Sequence, residues 1–365
     1  AGRYTRRGGA MERMDVPETR EGSREVGGAD TRAARLAAES GAVVARHAVD
    51  PREDMDRERA RASFPASELE TALAGGAEVA AMRRAAAAAL RADPAFNKAG
   101  KYFWAREELH ARTVRMQLAT PAKAKAVARQ TGFDEGEVYR HMRLLVDEPG
   151  PLDLHLGMFI PTIEGMGDED QRQRWLPDAK ANRIIGTYAQ TELGHGTYLR
   201  GLETTATYDE RTMEWVIDSP TLSSTKWWPG GLGKTATHVI CMARLFTKGS
   251  DHGPHPFVVQ IRSLEDHRPV AGVEVGDIGP KLGYNAMDNG FLRFSKLRVP
   301  RRAMLMRHAK VAEDGSYTSP PVEKASYGTM VFVRSDIVMN AALYLQKAVT
   351  VAVRYGASRR QSGGG

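Results

Sequence analysis

Two polar, glycine-rich turns hold the residues of this chain best suited to chemistry. The first reads Gln190-Thr191-Glu192-Leu193-Gly194-His195-Gly196, and the second Lys226-Trp227-Trp228-Pro229-Gly230-Gly231-Leu232-Gly233. Glycine lets a backbone N–H approach a ligand closely because no Cβ stands in the way. A tryptophan pair offers a wide, flat apolar surface with one N–H donor on each ring. Thr191 can donate a hydroxyl hydrogen bond, Gly230 and Gly231 can present backbone N–H groups, and Trp227 or Trp228 can wall one face of a ring. Hydroxyls, backbone donors and an aromatic wall suit a planar, hydrogen-bonding heterocycle such as a flavin. Without a ligand, the same residues read as ordinary turns between strands and a tryptophan pair in a core.

Other candidate groups point to less. Gly231-Leu232-Gly233-Lys234-Thr235 ends like a phosphate-binding loop, but Trp228 stands where that motif needs its first glycine. A strand pattern follows it rather than a helix, so no helix N-terminus faces a phosphate. His252 and His255 in DHGPHP have no cysteine or carboxylate cluster beside them, and the surrounding Gly and Pro predict a solvated loop. Asp168-Glu169-Asp170 precedes a helical segment and is expected to cap it. His195 lies inside the first turn, where a ligand contact and a local hydrogen bond are both open. Glu192 is acidic and close by, but nothing gives it a catalytic role. Cys241, the single cysteine, sits in the strand-like run THVICMARLF and reads as an inert core thiol; one thiol excludes an internal disulfide.

The elements that must hold the turns change texture along the chain. Residues 1–30 are rich in Arg, Gly and Glu and are expected to be disordered. Residues 31–47 and 66–92 are alanine-rich and helical in pattern, the latter stopped at Asp93-Pro94. Segments 103–118, 121–130, 134–146 and 169–180 show helical spacing between breaks. From Ile184 short β-branched and aromatic runs take over: TTATY, EWVID, THVICMARLF, FVVQIR, GVEVGDI and FLRFSKLRV. Their close spacing predicts an antiparallel sheet domain to about Arg302. From Tyr327 one long amphipathic helix is expected, its stripe formed by Met330, Val333, Ile337, Ala341, Tyr344, Leu345, Ala348 and Val351. The resulting division is 1–30 disordered, 31–183 helical, 184–302 a middle β domain carrying the site, and 303–365 a linker and first helix of an incomplete domain.

Composition narrows the function classes. With 365 residues, 42% hydrophobic and 27% charged, the sequence is that of an ordinary soluble globular protein of two or three domains. No run reaches the length of a membrane span. The net charge of +7 could attract the phosphates of an anionic cofactor such as coenzyme A. No basic stripe with interleaved aromatics argues for nucleic acid, and no secretory signal is visible. Starting at Ala1 and stopping just behind a helical pattern, the chain reads as a fragment.

The two turns also carry a resemblance. With DMDRERARASF from Asp54, PLDLHLGMFIPTI at 151–163, VGDIGPKLGYNAMDNG at 275–290, YGTMVFVR at 327–334 and YGASRRQS at 355–362, the segment 187–235 resembles the peroxisomal acyl-CoA oxidases of the acyl-CoA dehydrogenase superfamily. The resemblance implies an α+β fold: an N-terminal helical domain, a middle antiparallel β domain and the start of a C-terminal helical domain. It implies FAD as cofactor, a fatty acyl-CoA substrate, O2 as electron acceptor and a homodimer, in the peroxisome. The reaction implied is α,β-dehydrogenation to a trans-2-enoyl-CoA with H2O2 as co-product. The positions matching the family's FAD contacts are Thr191 and Gly230, joined as candidates by Gln190, Trp228 and Gly231. Tyr355 and Arg359 match a Tyr-x-x-x-Arg pattern whose Arg reaches the cofactor diphosphate of a neighbouring subunit, although Ser362 replaces the Phe of the dehydrogenases. Arg suits phosphate because its fork donates two parallel bonds. The catalytic base is expected beyond Gly365, so none is assigned, and the chain alone is expected to be inactive. Any Ser-Lys-Leu-type peroxisomal address would also lie there. An electron-transfer-flavoprotein-dependent dehydrogenase and a non-catalytic flavin or acyl-CoA binder are the alternatives. The first is disfavoured by Lys226-Trp227-Trp228-Pro229-Gly230-Gly231, where dehydrogenases tend to carry Trp-Ile-Thr-Asn.

Overall fold

The computed structural model describes Arg35 and residues 50–146, 149–320 and 328–359. The segment 1–30 lies outside the described residues, as does nearly all of the predicted helix at 31–47. The chain divides into two compact units: residues up to Ser63 with those from Thr350 onward, and Phe64–Val349.

The larger unit opens with helices α2 (Ala66–Ala74), α3 (Ala77–Arg91), α4 (Arg106–Thr131) and α5 (Glu135–Leu145), following α1 (Pro51–Ala60) of the smaller unit. Alanine-rich α3 buries Ala80, Met82, Ala86 and Leu90. Met82, Ala86 and Leu90 pack with Met116, Ala124 and Val127 of α4 and Val138 and Met142 of α5 in one core. α4 ends at Gly132, whose left-handed φ of 77° a Cβ would disfavour.

One expectation fails here. The helical spacing breaks at Thr120-Pro121, yet α4 runs straight through Pro121 as a single 26-residue helix. Proline removes one backbone donor and crowds the carbonyl four residues back. The helix persists because Met116, Thr120, Ala124, Val127 and Ala128 are buried along it, and packing of that face outweighs the local cost.

A π-type turn, His155–Phe159, leads into α6 (Ile160–Met166), and α7 (Glu169–Lys180) follows. Asp168 accepts from the Gln171 N–H while Gln171 reaches back to the Asp168 N–H, a complete capping box. Asp168 also takes two 2.7 Å bonds from the Arg302 guanidinium. Gln171 Nε2 donates to the carbonyls of Arg302 and Met304, and its oxygen accepts from Met306 N–H. The start of α7 is thereby joined to the chain leaving the sheet.

The main sheet contains β1 (Gly186–Ala189), β2 (Thr205–Asp209), β3 (Glu214–Asp218), β5 (His238–Thr247), β6 (Ser250–Gln260) and β9 (Leu297–Pro300). A three-stranded sheet is ordered β4 (Lys226–Trp227), β8 (Gly290–Phe294), β7 (Val273–Asp277), and β10 (Lys310–Val311) pairs with β11 (Tyr317–Thr318). One edge of β5 pairs with β6; its other edge pairs first with β1 and then with β2, both in parallel. The other ladders are antiparallel, so the expected antiparallel sheet is mixed at β5. Short hairpin spacing cannot reveal this, because the parallel partners are distant in sequence. The run FLRFSKLRV also divides: β8 and β9 belong to different sheets, separated at Lys296 with its left-handed φ of 49°.

The DHGPHP segment is strand, not solvated loop, since all of it lies in β6. His255 is buried, with its Nε2 3.0 Å from the Tyr317 hydroxyl, and His252 stacks on the Tyr317 ring. Pro254 and Pro256 misled the reading; strands do accept proline at an edge, and away from β5 this strand makes a single isolated bridge, Phe257 to Met304, among the described residues.

The final helix, α8 (Gly328–Ser358), is the long helix expected from Tyr327 onward. Of its expected stripe, Ile337, Ala341, Tyr344, Leu345, Ala348 and Val351 are exposed, and so are Val338, Val349 and Val353 outside it. The side chains of Met330 and Val333 lie outside the described residues. No described helix is long and apolar enough to cross a membrane.

Candidate functional site

β1 supplies the platform for both turns. Its entry is set by His155, whose Nε2 donates to Ala179 O at 3.0 Å and whose Nδ1 accepts from Gly186 N–H at 2.9 Å. Burial lowers the His155 pKa, which favours the neutral ring these two bonds require. One residue further, Thr187 donates its hydroxyl to Gly230 O at 2.7 Å, so β1 already touches the second turn.

Immediately after β1 comes the first turn. Glu192 and His195 exchange backbone hydrogen bonds, 3.1 Å each way, closing a four-residue loop. Leu193 N–H and Gly194 N–H donate to Thr225 O and Ser223 O. The decisive contact is Trp227 N–H to Thr191 O at 3.0 Å, which lays the two turns side by side. Thr191 is half-buried. Gln190 accepts from the Tyr188 hydroxyl through its side chain and from Lys226 through its carbonyl.

Glu192 and Lys226 form an ion pair at 3.0 Å with both side chains fully buried. The Glu192 carboxylate also accepts from the N–H groups of Glu203 and Thr204 and from the Thr204 hydroxyl. A carboxylate so enclosed has no free face for a substrate proton. His195 Nε2 donates to Glu203 at 2.9 Å, and Glu203 also takes bonds from Ser223 and Thr221. Of the two roles open to His195, the structure shows the local hydrogen bond.

Volume shapes the second turn. Trp228 has φ 89°, an uncommon backbone state for a bulky residue and one that clusters at functional sites. It is held there by its N–H to Gly290 O and by Asn289 Nδ2 to its own carbonyl. Its indole is half exposed, open to one side as a ring wall must be. Gly230 is buried against Met287, whose sulfur occupies the place of any Cβ, and Gly231, at φ 76°, lies against Pro151 O. Below them the buried Arg262 guanidinium donates to the carbonyls of Ala236, Leu232 and Gly233 at 2.6–2.9 Å. From the far side Asp288 accepts from the N–H groups of Lys234 and Thr235, both at 2.7 Å. α4 reaches this region too, through two bonds from Arg106 to Asp277 and through His110, 3.2 Å from Ala286 O.

The residues present fit a flavin. The N–H groups of Gly230 and Gly231 have no protein acceptor among the described residues. The buried Asn289 Oδ1, whose Nδ2 bonds the Trp228 carbonyl, has no donor, although buried polar atoms are normally satisfied. Donors and acceptors in one place, beside an exposed indole, match a ring that both donates and accepts. No group of three or more His, Cys, Asp or Glu suited to a metal occurs among the described residues. Cys241 is buried, which pushes its thiol up to about 11, outside reactive range.

Comparison with known proteins finds three family models in succession: acyl-coenzyme A oxidase N-terminal over residues 65–185, acyl-CoA dehydrogenase middle domain over 187–297, and acyl-CoA oxidase C-alpha1 domain over 327–365. The chain belongs to the acyl-CoA oxidase family. A peroxisomal acyl-coenzyme A oxidase 1 from Bos taurus is 47% identical over 313 residues, 85% of this chain and 46% of that protein. Among solved structures, acyl-CoA oxidase 1 of Arabidopsis thaliana superposes with a TM-score of 0.74 at 44% identity, covering 87% of this chain and 47% of the other. Acyl-CoA oxidase-2 of Caenorhabditis elegans, bound with FAD, ascaroside-CoA and ATP, gives 0.76 at 39% identity, covering 86% and 47%. The chain thus spans about half the length of the oxidases it matches.

In this chain the structure brings five expected site residues together: Gln190, Thr191, Trp228, Gly230 and Gly231. The sixth, Arg359, follows α8 in the smaller unit, exposed, with its guanidinium 5.9 Å from the Tyr355 ring centre; Ser362 lies outside the described residues. Sequence reasoning missed the groups that hold the turns: Lys226 as a buried ion partner, Arg262, Met287 and Asp288. A faint signal existed for two of them. Lys226 and Arg262 are cations placed in strand-like, otherwise uncharged runs, TLSSTKWW and FVVQIR, where a charge must find a partner if it is buried.

Proposed function

We propose that this chain is the flavin- and acyl-CoA-binding portion of a peroxisomal FAD-dependent acyl-CoA oxidase. The whole protein would convert a fatty acyl-CoA into trans-2-enoyl-CoA with O2 as the final acceptor. The observation that carries the reading is the Trp227 N–H to Thr191 O bond, which makes one surface of two turns widely separated in sequence. FAD held by these residues would supply the acceptor for the hydride leaving the acyl β carbon, with O2 as the final oxidant and H2O2 as its product. Thr191 and Gln190 would hold one edge of the ring, Gly230 and Gly231 would offer N–H groups to another, and Trp228 would cover a face and exclude water. A positioned donor facing developing negative charge is worth about 2.7–4 kcal/mol in activation free energy, so the placing of these N–H groups bears directly on rate.

No described residue is assigned as the base that removes the α proton, because Glu192 is enclosed by Lys226, Thr204 and the Glu203 and Thr204 N–H groups. Arg359 of one protomer would pair with the cofactor diphosphate of its partner in a homodimer. The test uses the full-length protein with palmitoyl-CoA and O2, following peroxide and enoyl-CoA together. Equal amounts of both are expected; enoyl-CoA formed only with an added electron-transfer flavoprotein would replace the oxidase by a dehydrogenase. Thr191→Val keeps the side-chain shape without the hydroxyl and should weaken FAD binding by about 1–3 kcal/mol. Unchanged affinity and an unchanged flavin spectrum would remove Thr191 from the site.

A further inference from the structure

Lys226 Nζ makes three bonds, and each ends beside a proposed ligand residue or on the central strand. It donates to Gln190 O at 3.2 Å, to Glu192 Oε1 at 3.0 Å and to Met242 O at 2.7 Å in β5. Thr191 stands between the first two partners. Trp227, the residue after Lys226, donates its N–H to Thr191 O. Glu192 in turn fastens the Glu203–Thr204 segment through three bonds of 2.6–2.9 Å. Neither charge reaches water or any other charged side chain among these partners, and both are fully buried. An ion pair of this kind is weak evidence for stability, because its desolvation offsets much of its attraction. Its bonds are nevertheless directional, and two of the three from Lys226 end at Gln190 and Glu192, on either side of Thr191.

We propose that Glu192 and Lys226 are positioning residues that fix the Thr191 hydroxyl and the Trp227-Trp228 wall in one frame for the flavin. This rests on the flavin reading of the two turns. On this view the pair acts through Thr191, so the two effects are not independent. Groups in contact or sharing a network give non-additive mutational effects, whereas a pair that only staples the fold would add its loss to that of Thr191.

The experiment is a cycle in the full-length protein, with FAD affinity, the flavin absorption spectrum and the melting midpoint of the apoprotein as readouts. In the Glu192→Gln/Lys226→Met variant both charges are removed together, so that neither is left buried alone. FAD affinity is expected to fall at least tenfold with an altered flavin spectrum, and Thr191→Val added to this background should cost less than twofold more. Glu192→Asp keeps both charges but shortens the reach by one methylene, and should show a smaller loss with the same non-additivity, so the idea stays testable if the double variant does not fold. Affinity within twofold of wild type, or a Thr191→Val loss as large in the altered background as in the wild type, would overturn the proposal. Thr191→Val alone separates the premises: if it leaves the flavin untouched, the flavin reading itself fails, and the positioning role falls with it.

Discussion

The two turns meet at the same surface but are built on opposite principles. The first is held by carboxylates: Glu192 and Glu203 gather backbone and hydroxyl donors around 191–195. The second is held chiefly by closeness, with Gly230 against Met287 and Gly231 against Pro151, over the buried guanidinium of Arg262. A carboxylate-held turn depends on charge and therefore on protonation. A glycine-packed turn depends on volume and is blind to pH, but tolerates no added atom. Where one part of a site must present a side-chain hydroxyl and the other a bare backbone, this division follows from what each part has to expose.

The sharpest way to break the contrast is to remove one charge from the first turn. Lys226→Met leaves Glu192 buried without its cation, a change that typically costs about 3–5 kcal/mol; chemical denaturation of the full-length protein should show a loss of that size. A loss below about 1 kcal/mol would mean that the pair is not buried as described. In the second turn, Gly231→Ala adds a Cβ at φ 76° and 2.7 Å from Pro151 O, a backbone atom that cannot swing away. Left-handed strain of about 1–2 kcal/mol and overpacking of about 1–3 kcal/mol together predict roughly 2–5 kcal/mol. Gly230→Ala should cost less, because the obstructing Met287 side chain is flexible. Equal losses at the two glycines would show that close backbone approach is not what the turn is selected for.

The smallest effect concerns acid. Hydrogen bonds from Thr221, His195 and Ser223 hold the Glu203 carboxyl below its ordinary value. A lowered carboxylate pKa stabilises the fold above the unfolded value near 4.5, and that contribution is lost as pH falls below it. Glu203 is partly exposed, so solvent screening limits the contribution to under about 1 kcal/mol. The melting difference between wild type and Glu203→Gln should therefore shrink between pH 5 and pH 3, while that between wild type and Gly231→Ala stays constant. A wild type/Glu203→Gln difference that grows toward low pH would reverse the assignment.

Much of the frame was legible because its signals are local. Alanine content marked α3, the acids Asp168-Glu169-Asp170 marked the start of α7, and β-branched and aromatic runs marked β2, β3 and β5. The pairing of the two turns was legible from their residue types, since glycine, threonine and tryptophan advertise what they can offer a ring. What holds them was not. Lys226 finds Glu192 34 residues away, and Arg262 clamps carbonyls up to 30 residues behind it; neither partner leaves a periodic trace. Pro121 inside α4 and Pro254 and Pro256 inside β6 misled for the related reason that tertiary packing overrode a local breaker.

The bonds joining helices to sheet carry a consequence for how this chain could be divided. The change of texture near residue 184 invites a cut there. Such a cut would strip Arg302 of its Asp168 partner, Gly186 of its imidazole acceptor, the 302–306 segment of Gln171, and Asp277 of Arg106. Each severed end would be left as an unpaired polar or charged group on a newly bared apolar face. Within Phe64–Val349 the seam between helical and strand sequence is thus no line of weakness. Heating or denaturant should melt the two textures together in a single cooperative transition, and a protease should find no nicking site there while the unit is folded.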